Sequence, residues 1–348
     1  MSSGEAWKLC AALCGALAVA DAQGACKIAQ IAEWHVTREY NRPFVDGVIN
    51  DQPVRILLDT GSFASFISGG AARRLKLRIR EEGGMASGVN GEVREQIAVV
   101  DHLKVAGFSA DDLRLRVTAS KMGEDPHGVG FVLGADFFRH FATEFDLAHD
   151  TVRLLKPKDC KPDQMPYWDS AYFQIEIERP SGDWAAFIGP ILINGVRLRA
   201  QFDTGSELSF ITTPAARRAG VTVTDPGVKP ADPVTGIAEV PLPTWIGRFD
   251  TVTIGDETAR NARLRIGDLF GADRSLTTGS HIAQVDANII DVIVGDDFFQ
   301  AHRAVVLPDD HLIVFTYNGG PVFQVVRPDA APTQSATGAS NEERSASD

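Results

Sequence analysis

The tetrapeptide Asp-Thr-Gly-Ser occurs twice in the chain, at 59–62 and at 203–206. Asp59 and Asp203 are 144 residues apart in matching surroundings, which makes them equivalent residues of two similar units. Two carboxylates that meet at close range cannot both ionise, and a pair that holds one proton offers a base beside an acid. The repeat therefore predicts chemistry that needs a pair of carboxylates.

The similarity extends to both sides of each tetrapeptide at the same offset and without a gap. A strand-like segment rich in apolar residues precedes each copy, at 54–58 and 198–202, and Ser-Phe-Ile follows, at 65–67 and 209–211. A single Asp-Thr-Gly would be weak evidence, because Asp and Gly are common in turns. Two copies in the same context indicate a duplicated unit rather than chance.

Each unit also carries a second motif downstream, apolar-apolar-Gly-x-Asp-Phe-Phe, at 132–138 and 293–299. A short helix is predicted to begin after each glycine. Asp136, Asp296 and Asp297 stand at these helix starts, where a carboxylate can bond free backbone amides. We therefore interpret these three residues as helix caps rather than as catalysts.

The remaining pattern predicts a mainly β fold with few, short helices. Short alternating runs are separated by Gly, Asn and Asp, as in antiparallel sheets, and Asn194-Gly195 and Asn90-Gly91 are strong hairpin turn signals. The clearest strand signals lie at 113–117, 152–155 and 251–254, and further short helices are expected at 71–75 and 214–218.

The duplication predicts two lobes in one chain. We place the first lobe at 28–156 and the second at 172–326, with a proline-containing linker at 157–171. The end of the chain, 327–348, has almost no apolar bulk and is expected to be disordered.

Together these motifs resemble the retroviral-type, or retropepsin-like, aspartic peptidases. That family carries Asp-Thr/Ser-Gly-Ala/Ser on a loop after a strand, followed later by an apolar-apolar-Gly strand. The resemblance implies two closed β-barrel lobes of the acid-protease type, related by a pseudo-twofold axis. Retroviral enzymes build their site from two identical chains, whereas this chain carries both halves and is expected to work as a monomer.

The resemblance implies an endopeptidase that cleaves peptide or protein substrates, with Asp59 and Asp203 as the catalytic pair. Thr60 and Thr204 would exchange hydrogen bonds between the lobes. Gly61 and Gly205 would let the chain turn and bring backbone amides onto the carboxylates.

Two roles are open for the serines of the repeat. Ser62 and Ser206 can donate hydrogen bonds to the outer carboxylate oxygens, or they can simply cap the turn. Sequence alone does not separate these roles.

Members of the family close β-hairpin flaps over the cleft, and each lobe offers a candidate. The alternative is two ordinary exposed hairpins. The candidate flap residues are Gly88, Val89, Asn90 and Gly91 in the first lobe and Thr235, Gly236 and Ile237 in the second.

The N-terminus resembles a secretory signal peptide over 1–20, which predicts export to the periplasm or beyond. A retained apolar helix, or a lipoprotein anchored at Cys26, are the alternatives. After cleavage only Cys26 and Cys160 would remain, so they either form one disulfide or stay as two thiols. A bridge over so long a loop would contribute on the order of 4 kcal/mol.

Composition excludes several classes. The net charge of −12 argues against nucleic-acid binding, and no apolar run is long enough to span a membrane. No Cys/His cluster has the spacing of a zinc site, and the predicted chemistry needs no cofactor or metal. The main alternative function is a peptide-binding or scaffold protein that has lost catalysis on the same fold. A third possibility is a catalytic unit made of two chains.

Overall fold

The computed structural model describes residues 25–88, 91–118, 123–125, 127–179, 186–235, 241–268 and 290–324. The predicted signal peptide and the predicted disordered tail lie outside these residues. Among the described residues, no helix is long and apolar enough to cross a membrane.

Twenty-one strands and four short helices make up the described fold. The strands of the first half are β1 (Lys27–His35), β2 (Thr37–Glu39), β3 (Arg42–Ile49), β4 (Gln52–Leu58), β5 (Phe66–Ser68), β6 (Arg78–Gly88), β7 (Gly91–Val105), β8 (Phe108–Thr118), β9 (Val129–Leu133), β10 (Ala142–Asp146) and β11 (Thr151–Lys158). Those of the second half are β12 (Phe173–Glu176), β13 (Ile188–Ile193), β14 (Val196–Phe202), β15 (Phe210–Thr212), β16 (Lys229–Thr235), β17 (Pro241–Ile254), β18 (Glu257–Gly267), β19 (Val292–Val294), β20 (His302–Leu307) and β21 (Leu312–Tyr317). The helices are α1 (Gly69–Arg74), α2 (Ala135–Phe138), α3 (Thr213–Arg218) and α4 (Asp296–Phe299), and two 3-10 turns span Leu147–His149 and Pro162–Gln164.

Each lobe contains a closed barrel of six strands. In the first lobe the order is β3-β4-β9-β5-β8-β7, and pairing of β3 with β7 closes the ring. In the second lobe the order is β13-β14-β19-β15-β18-β17, closed by pairing of β13 with β17. Full closure leaves no free strand edge in the ring. The predicted mainly β fold with two duplicated lobes is therefore confirmed.

Alternation of side chains explains why these segments form barrel walls. In β8, Phe108, Ala110, Leu113, Leu115 and Val117 are buried, while most residues between them are polar and face outward. The predicted turn at Asn194-Gly195 joins β13 to β14, and both residues have positive φ angles, 49° and 78°. That is the conformation for which Asn-Gly is favoured in two-residue hairpins.

A six-stranded sheet joins the two lobes, in the order β1-β11-β10-β20-β21-β12. Three of its strands come from each half, and β10 and β20 meet in the middle in antiparallel register, with Glu144 opposite Val305. Phe145 of the first lobe packs against Phe299 of the second, with ring centroids 5.7 Å apart. Because this sheet contains paired strands of both lobes, it fixes the position of one lobe relative to the other.

The segment predicted as a linker packs on this shared sheet. Met165 is buried against the sheet, and the indole of Trp168 donates to the hydroxyl of Thr316 at 2.8 Å. Cys26 and Cys160 form a disulfide beside the paired ends of β1 and β11, where Lys27 lies opposite Lys158. The bridge ties the start of the described chain to this segment.

A buried carboxylate holds charged groups of both lobes together on the shared sheet. Glu144 on β10 is fully buried and accepts bonds from Arg153 at 2.6 Å and from Arg303 of β20 at 2.8 Å. The hydroxyl of Tyr167 donates to its other oxygen at 2.6 Å. Both carboxylate oxygens are thus bonded, which is the condition under which a buried charge is tolerated.

Replacement of Glu144 by Gln should destabilise the protein by about 3 kcal/mol, because it removes the charge that two partly buried arginines share. The matched control is Glu33→Gln. Glu33 binds the same Arg153 but is 48% exposed, and such pairs contribute less than about 1 kcal/mol. Denaturant unfolding at neutral pH measures both variants, and equal losses would contradict the role given to Glu144.

Candidate active site

The two Asp-Thr-Gly-Ser loops begin where β4 and β14 end. Each of these strands pairs in parallel with the strand that carries the apolar-apolar-Gly motif, β9 or β19. The amide of Asp59 donates to Leu133 O, and that of Asp203 donates to Val294 O, both at 2.9 Å. The two loops therefore have the same support in both lobes.

Thr60 and Thr204 bind each other across the boundary between the lobes. The amide of Thr60 donates to Oγ1 of Thr204 at 3.1 Å, and the amide of Thr204 donates to Oγ1 of Thr60 at 3.0 Å. Each hydroxyl then donates to a carbonyl of the opposite lobe, Phe202 O or Leu58 O, at 2.8 Å. Both threonines are buried, so these four bonds hold the loops in one register without competition from water.

Asp59 and Asp203 meet directly at this boundary. Their carboxyl groups share a hydrogen bond, and the amide of Gly61 faces both of them. Asp59 Oδ1 accepts the amide of Ser62 at 2.8 Å, and Asp203 Oδ1 accepts the amide of Gly205 at 2.7 Å. The residues are partly exposed, so the pair remains open to solvent while protein surrounds it.

The environment keeps a proton on this pair. Burial raises the pKa of Asp59, and backbone bonds from Ser62 and Gly61 partly offset that effect. Burial also raises the pKa of Asp203 well above its ordinary value, and the negative charge of Asp59 raises it further. Two carboxyls in contact thus titrate as a unit.

Glycine is required at the third position of both loops because the opposite aspartate occupies the space of a side chain. A Cβ on Gly61 would lie 2.1 Å from Cγ of Asp203, and one on Gly205 would lie 2.3 Å from Cγ of Asp59. Any larger residue would force the carboxyl groups apart.

The two serines bond within their own loops. The hydroxyl of Ser62 donates to Ala64 O at 2.8 Å, and that of Ser206 donates to Leu208 O at 2.9 Å. A hydroxyl has one proton to donate, so neither serine donates to a carboxylate in this state. Of the two roles left open by the sequence, the structure shows the turn-capping one.

Asp136 and Asp297 do more than cap helices, which corrects the interpretation from sequence. The N-cap residues of α2 and α4 are glycines without side-chain bonds. Asp136 instead accepts the amide and hydroxyl of Ser65, at 2.8 and 2.6 Å. That hydroxyl in turn accepts the amide of Gly134 at 2.9 Å. The Ser-Phe-Ile segment is thereby fixed to the glycine motif behind the loop.

The second lobe repeats this arrangement. Asp297 accepts the amide and hydroxyl of Ser209 at 2.8 and 2.6 Å, and the hydroxyl accepts the amide of Gly295 at 2.9 Å. The signal for this contact was present in the sequence, since the serine and the aspartate recur together in both units. Their pairing became visible only once β5 and β15 were placed beside β9 and β19.

Asp296 is a third carboxyl near the pair, and the interpretation of it as a helix cap is wrong. It is fully buried, and neither carboxyl oxygen has a hydrogen-bond partner among the described residues. Burial raises its pKa well above the ordinary value, and the charges of Asp203, Asp297 and Asp59 add to that shift. Its counterpart in the first lobe is Ala135, so Asp296 makes the site asymmetric.

The predicted flap hairpins are described only in part. β6 and β7 pair up to Gly88 opposite Gly91, and Val89 and Asn90 between them lie outside the described residues. β16 and β17 pair up to Thr235 opposite Pro241. Gly236 and Ile237, also predicted as flap residues, fall outside the described ranges as well. Their role in covering the site stays a prediction.

Within the described ranges, no group of three or more His, Cys, Asp or Glu side chains is arranged to hold a metal ion. What the site presents is a hydrogen-bonded carboxyl pair on two supported loops. Such a pair can take a proton from one group and give a proton to another at the same place.

A family model described as aspartyl protease matches the chain twice, over residues 45–137 and 189–298. Each match covers one loop, one barrel and one glycine motif, and together they span more than half of the sequence. The chain therefore belongs to the aspartyl protease family, with two retropepsin-like lobes in one polypeptide. No curated protein matches the chain.

Substitution of Gly205 by Ala should destabilise the protein by about 3 kcal/mol or more, since the new methyl group overlaps the carboxyl of Asp59. Gly227→Ala is the control, because a Cβ there would meet no atom within 4 Å; we expect a change of about 0.5 kcal/mol or less. Thermal unfolding compares the two, and a stable Gly205→Ala variant would contradict the close contact.

The protonation of Asp297 should be visible in the pH dependence of stability. Burial raises its pKa from the ordinary 3.8 to about 6. Its contribution is therefore fully present below about pH 4 and is lost as the pH rises through about 6. In Asp297→Asn, the fall in unfolding free energy between these pH values should be smaller than in the wild type by about 3 kcal/mol.

The control for this experiment is Asp225→Asn. Asp225 is partly exposed, and bonds from the amide and hydroxyl of Thr222 lower its pKa, so its titration lies below the window. Denaturant unfolding at pH 4, 5, 6 and 7 gives the slope of the unfolding free energy against pH for each variant. Parallel slopes for the wild type and Asp297→Asn would rule out a raised pKa at this residue.

Proposed function

We propose that the protein is an aspartic endopeptidase whose catalytic pair is Asp59 and Asp203. The observation that carries the proposal is the meeting of these two carboxyls at the boundary of the lobes, where each lies against the glycine of the opposite loop and the two loops are bonded to each other. Family membership supports a peptidase. The support that both loops receive from Thr60 and Thr204 is what a site of fixed geometry requires.

The ionised carboxyl of the pair takes a proton from a water molecule, and the water oxygen attacks the carbonyl carbon of a peptide bond. The protonated carboxyl donates its proton to the carbonyl oxygen, which gives a neutral tetrahedral diol. Collapse of the diol breaks the C–N bond. The nitrogen leaves with a proton from one carboxyl, and the second hydroxyl returns a proton to the other. The pair ends with the single proton it began with.

The substrate class follows from the position of the pair. Both halves of the site come from one chain, so a single copy supplies the complete site, and a monomer is the proposed active form. Extended peptides are the proposed substrates, and the hairpins that end at Gly88–Gly91 and at Thr235–Pro241 are the candidate flaps that close over them.

We propose that the protein acts after export. The disulfide between Cys26 and Cys160 supports this, because disulfides persist in oxidising compartments such as the periplasm and the cell exterior. The apolar stretch and the small residues that precede Asp21 agree with a cleaved signal peptide. Mass spectrometry of the mature N-terminus from a secreting host tests this proposal.

Replacement of Asp59 or Asp203 by Asn should lower peptide cleavage by a factor of about a thousand or more, because the pair then lacks either its base or its acid. Asp250→Asn, at an exposed strand position, is the control and should keep full activity. The assay is digestion of a peptide library at acid and neutral pH, with mass spectrometric detection of products and a statine-type mimic as inhibitor.

The outcomes separate the possible functions. Equal cleavage by the wild type and both Asn variants would overturn the catalytic assignment. Tight binding of peptides without cleavage would instead favour a scaffold protein on this fold. Activity that falls with dilution, together with a dimeric solution mass, would point to a site formed by two chains.

A further inference from the structure

A side chain of the second lobe donates a hydrogen bond to the first lobe from a position whose equivalent in the first lobe has no donor. The amide group of Gln201 donates from Nε2 to the carbonyl oxygen of Gly61 in the opposite loop, at 2.6 Å. Gln201 lies on β14, two residues before Asp203, and is only 3% exposed. A buried amide that reaches another lobe is held there by this bond, since leaving its donor unmet would be costly.

The carbonyl oxygen of Gly61, which Gln201 binds, belongs to the same peptide unit as the N–H of Ser62, which donates to Asp59. The peptide bond between Gly61 and Ser62 is planar, so a fixed carbonyl oxygen also fixes the direction of the Ser62 N–H. That N–H donates to Asp59 Oδ1 at 2.8 Å. A bond accepted by the carbonyl also polarises the unit and strengthens the bond that its N–H donates.

The first lobe has no equivalent contact to offer at the matching position. The counterpart of Gln201 is Leu57, whose side chain cannot donate a hydrogen bond and packs among Phe44, Phe66 and Val132 instead. The substitution of an amide for an apolar side chain is therefore specific to the second lobe.

A second contact also holds the loop of Asp59 against the second lobe. Phe63, which follows Ser62 in the first loop, packs against Ala186, Ile188 and Ile290 of the second lobe. Its counterpart in the second loop is Glu207. The loop that carries Asp59 is thus held by the second lobe through Gly61 and Phe63.

We propose that Gln201 is a positioning residue, which holds the Gly61–Ser62 peptide of the opposite lobe and, through that peptide, the carboxyl group of Asp59. The role rests on the proposed function, in which Asp59 and Asp203 form the catalytic pair. Hydrogen bonds to a carboxylate favour its ionised form. Gln201 therefore biases the pair toward ionised Asp59, the base, and protonated Asp203, the acid.

The electrostatics of the pair agree with this direction. The pKa of Asp203 is raised well above its ordinary value, first by burial and next by the charge of Asp59. The pKa of Asp59 is raised by burial, and the bond from Ser62 is the largest effect that opposes the shift. Loss of the Gln201 contact should weaken that opposing bond.

The test replaces Gln201 by Met, which has a similar length and shape but cannot donate. We expect kcat to fall by about tenfold with KM changed less than about twofold, since the side chain acts on the pair rather than on the substrate. The matched control is Leu57→Met, at the equivalent position of the other lobe, which should leave both constants unchanged. Gln201→Asn, too short to reach Gly61 O, should behave like the Met variant.

The second readout does not depend on cleavage. Carbon-13 NMR of labelled aspartate follows the titration of the pair, with the Asp59 signal assigned from its loss in Asp59→Asn. The lower apparent pKa of the pair should rise by about half a unit in Gln201→Met and stay the same in Leu57→Met. If the wild type cleaves no peptide, the proposed function fails while this titration still decides the role of Gln201. A titration of Gln201→Met that matches the Leu57→Met control would overturn the inference.

Discussion

The reciprocal bonds of Thr60 and Thr204 are the constraint on which the site depends. They join two loops that are far apart in the chain, and each hydroxyl donates a hydrogen bond to a carbonyl of the opposite lobe. Gly61 and Gly205 then place each carboxyl against the backbone of the other loop. The two carboxyls therefore meet because the loops are aligned with each other, and the barrels maintain that alignment.

The register is supported at two further levels. Behind each loop, a Ser–Asp contact fixes the loop to the glycine motif, with Asp136 in one lobe and Asp297 in the other. Below the loops, the shared sheet joins the lobes through β10 and β20, and the buried Glu144 binds Arg303 of the second lobe there. Together these contacts explain how two carboxyl groups that would repel each other if both were ionised are kept in contact.

The duplication preserves the order of the barrel strands, whereas the side chains around the pair differ between the lobes. At equivalent positions of the second and first lobes, Gln201 replaces Leu57, Asp296 replaces Ala135, and Glu207 replaces Phe63. A homodimer cannot hold such differences, because both of its halves have the same sequence. A single chain with two lobes can give its two aspartates different surroundings, and the contact from Gln201 to Gly61 is one result of that freedom.

The sequence by itself determined the two lobes, the β character, the loops and the identity of the carboxyl pair, because these follow from local patterns that recur at a fixed offset. Tertiary structure alone decided the partners of Ser62 and Ser206, the burial of Asp296 and the reach of Gln201 to Gly61. The reason is physical. A repeat shows which residues are equivalent, but the burial and the hydrogen-bond partner of a side chain depend on distances that are set only when both barrels and the shared sheet have formed.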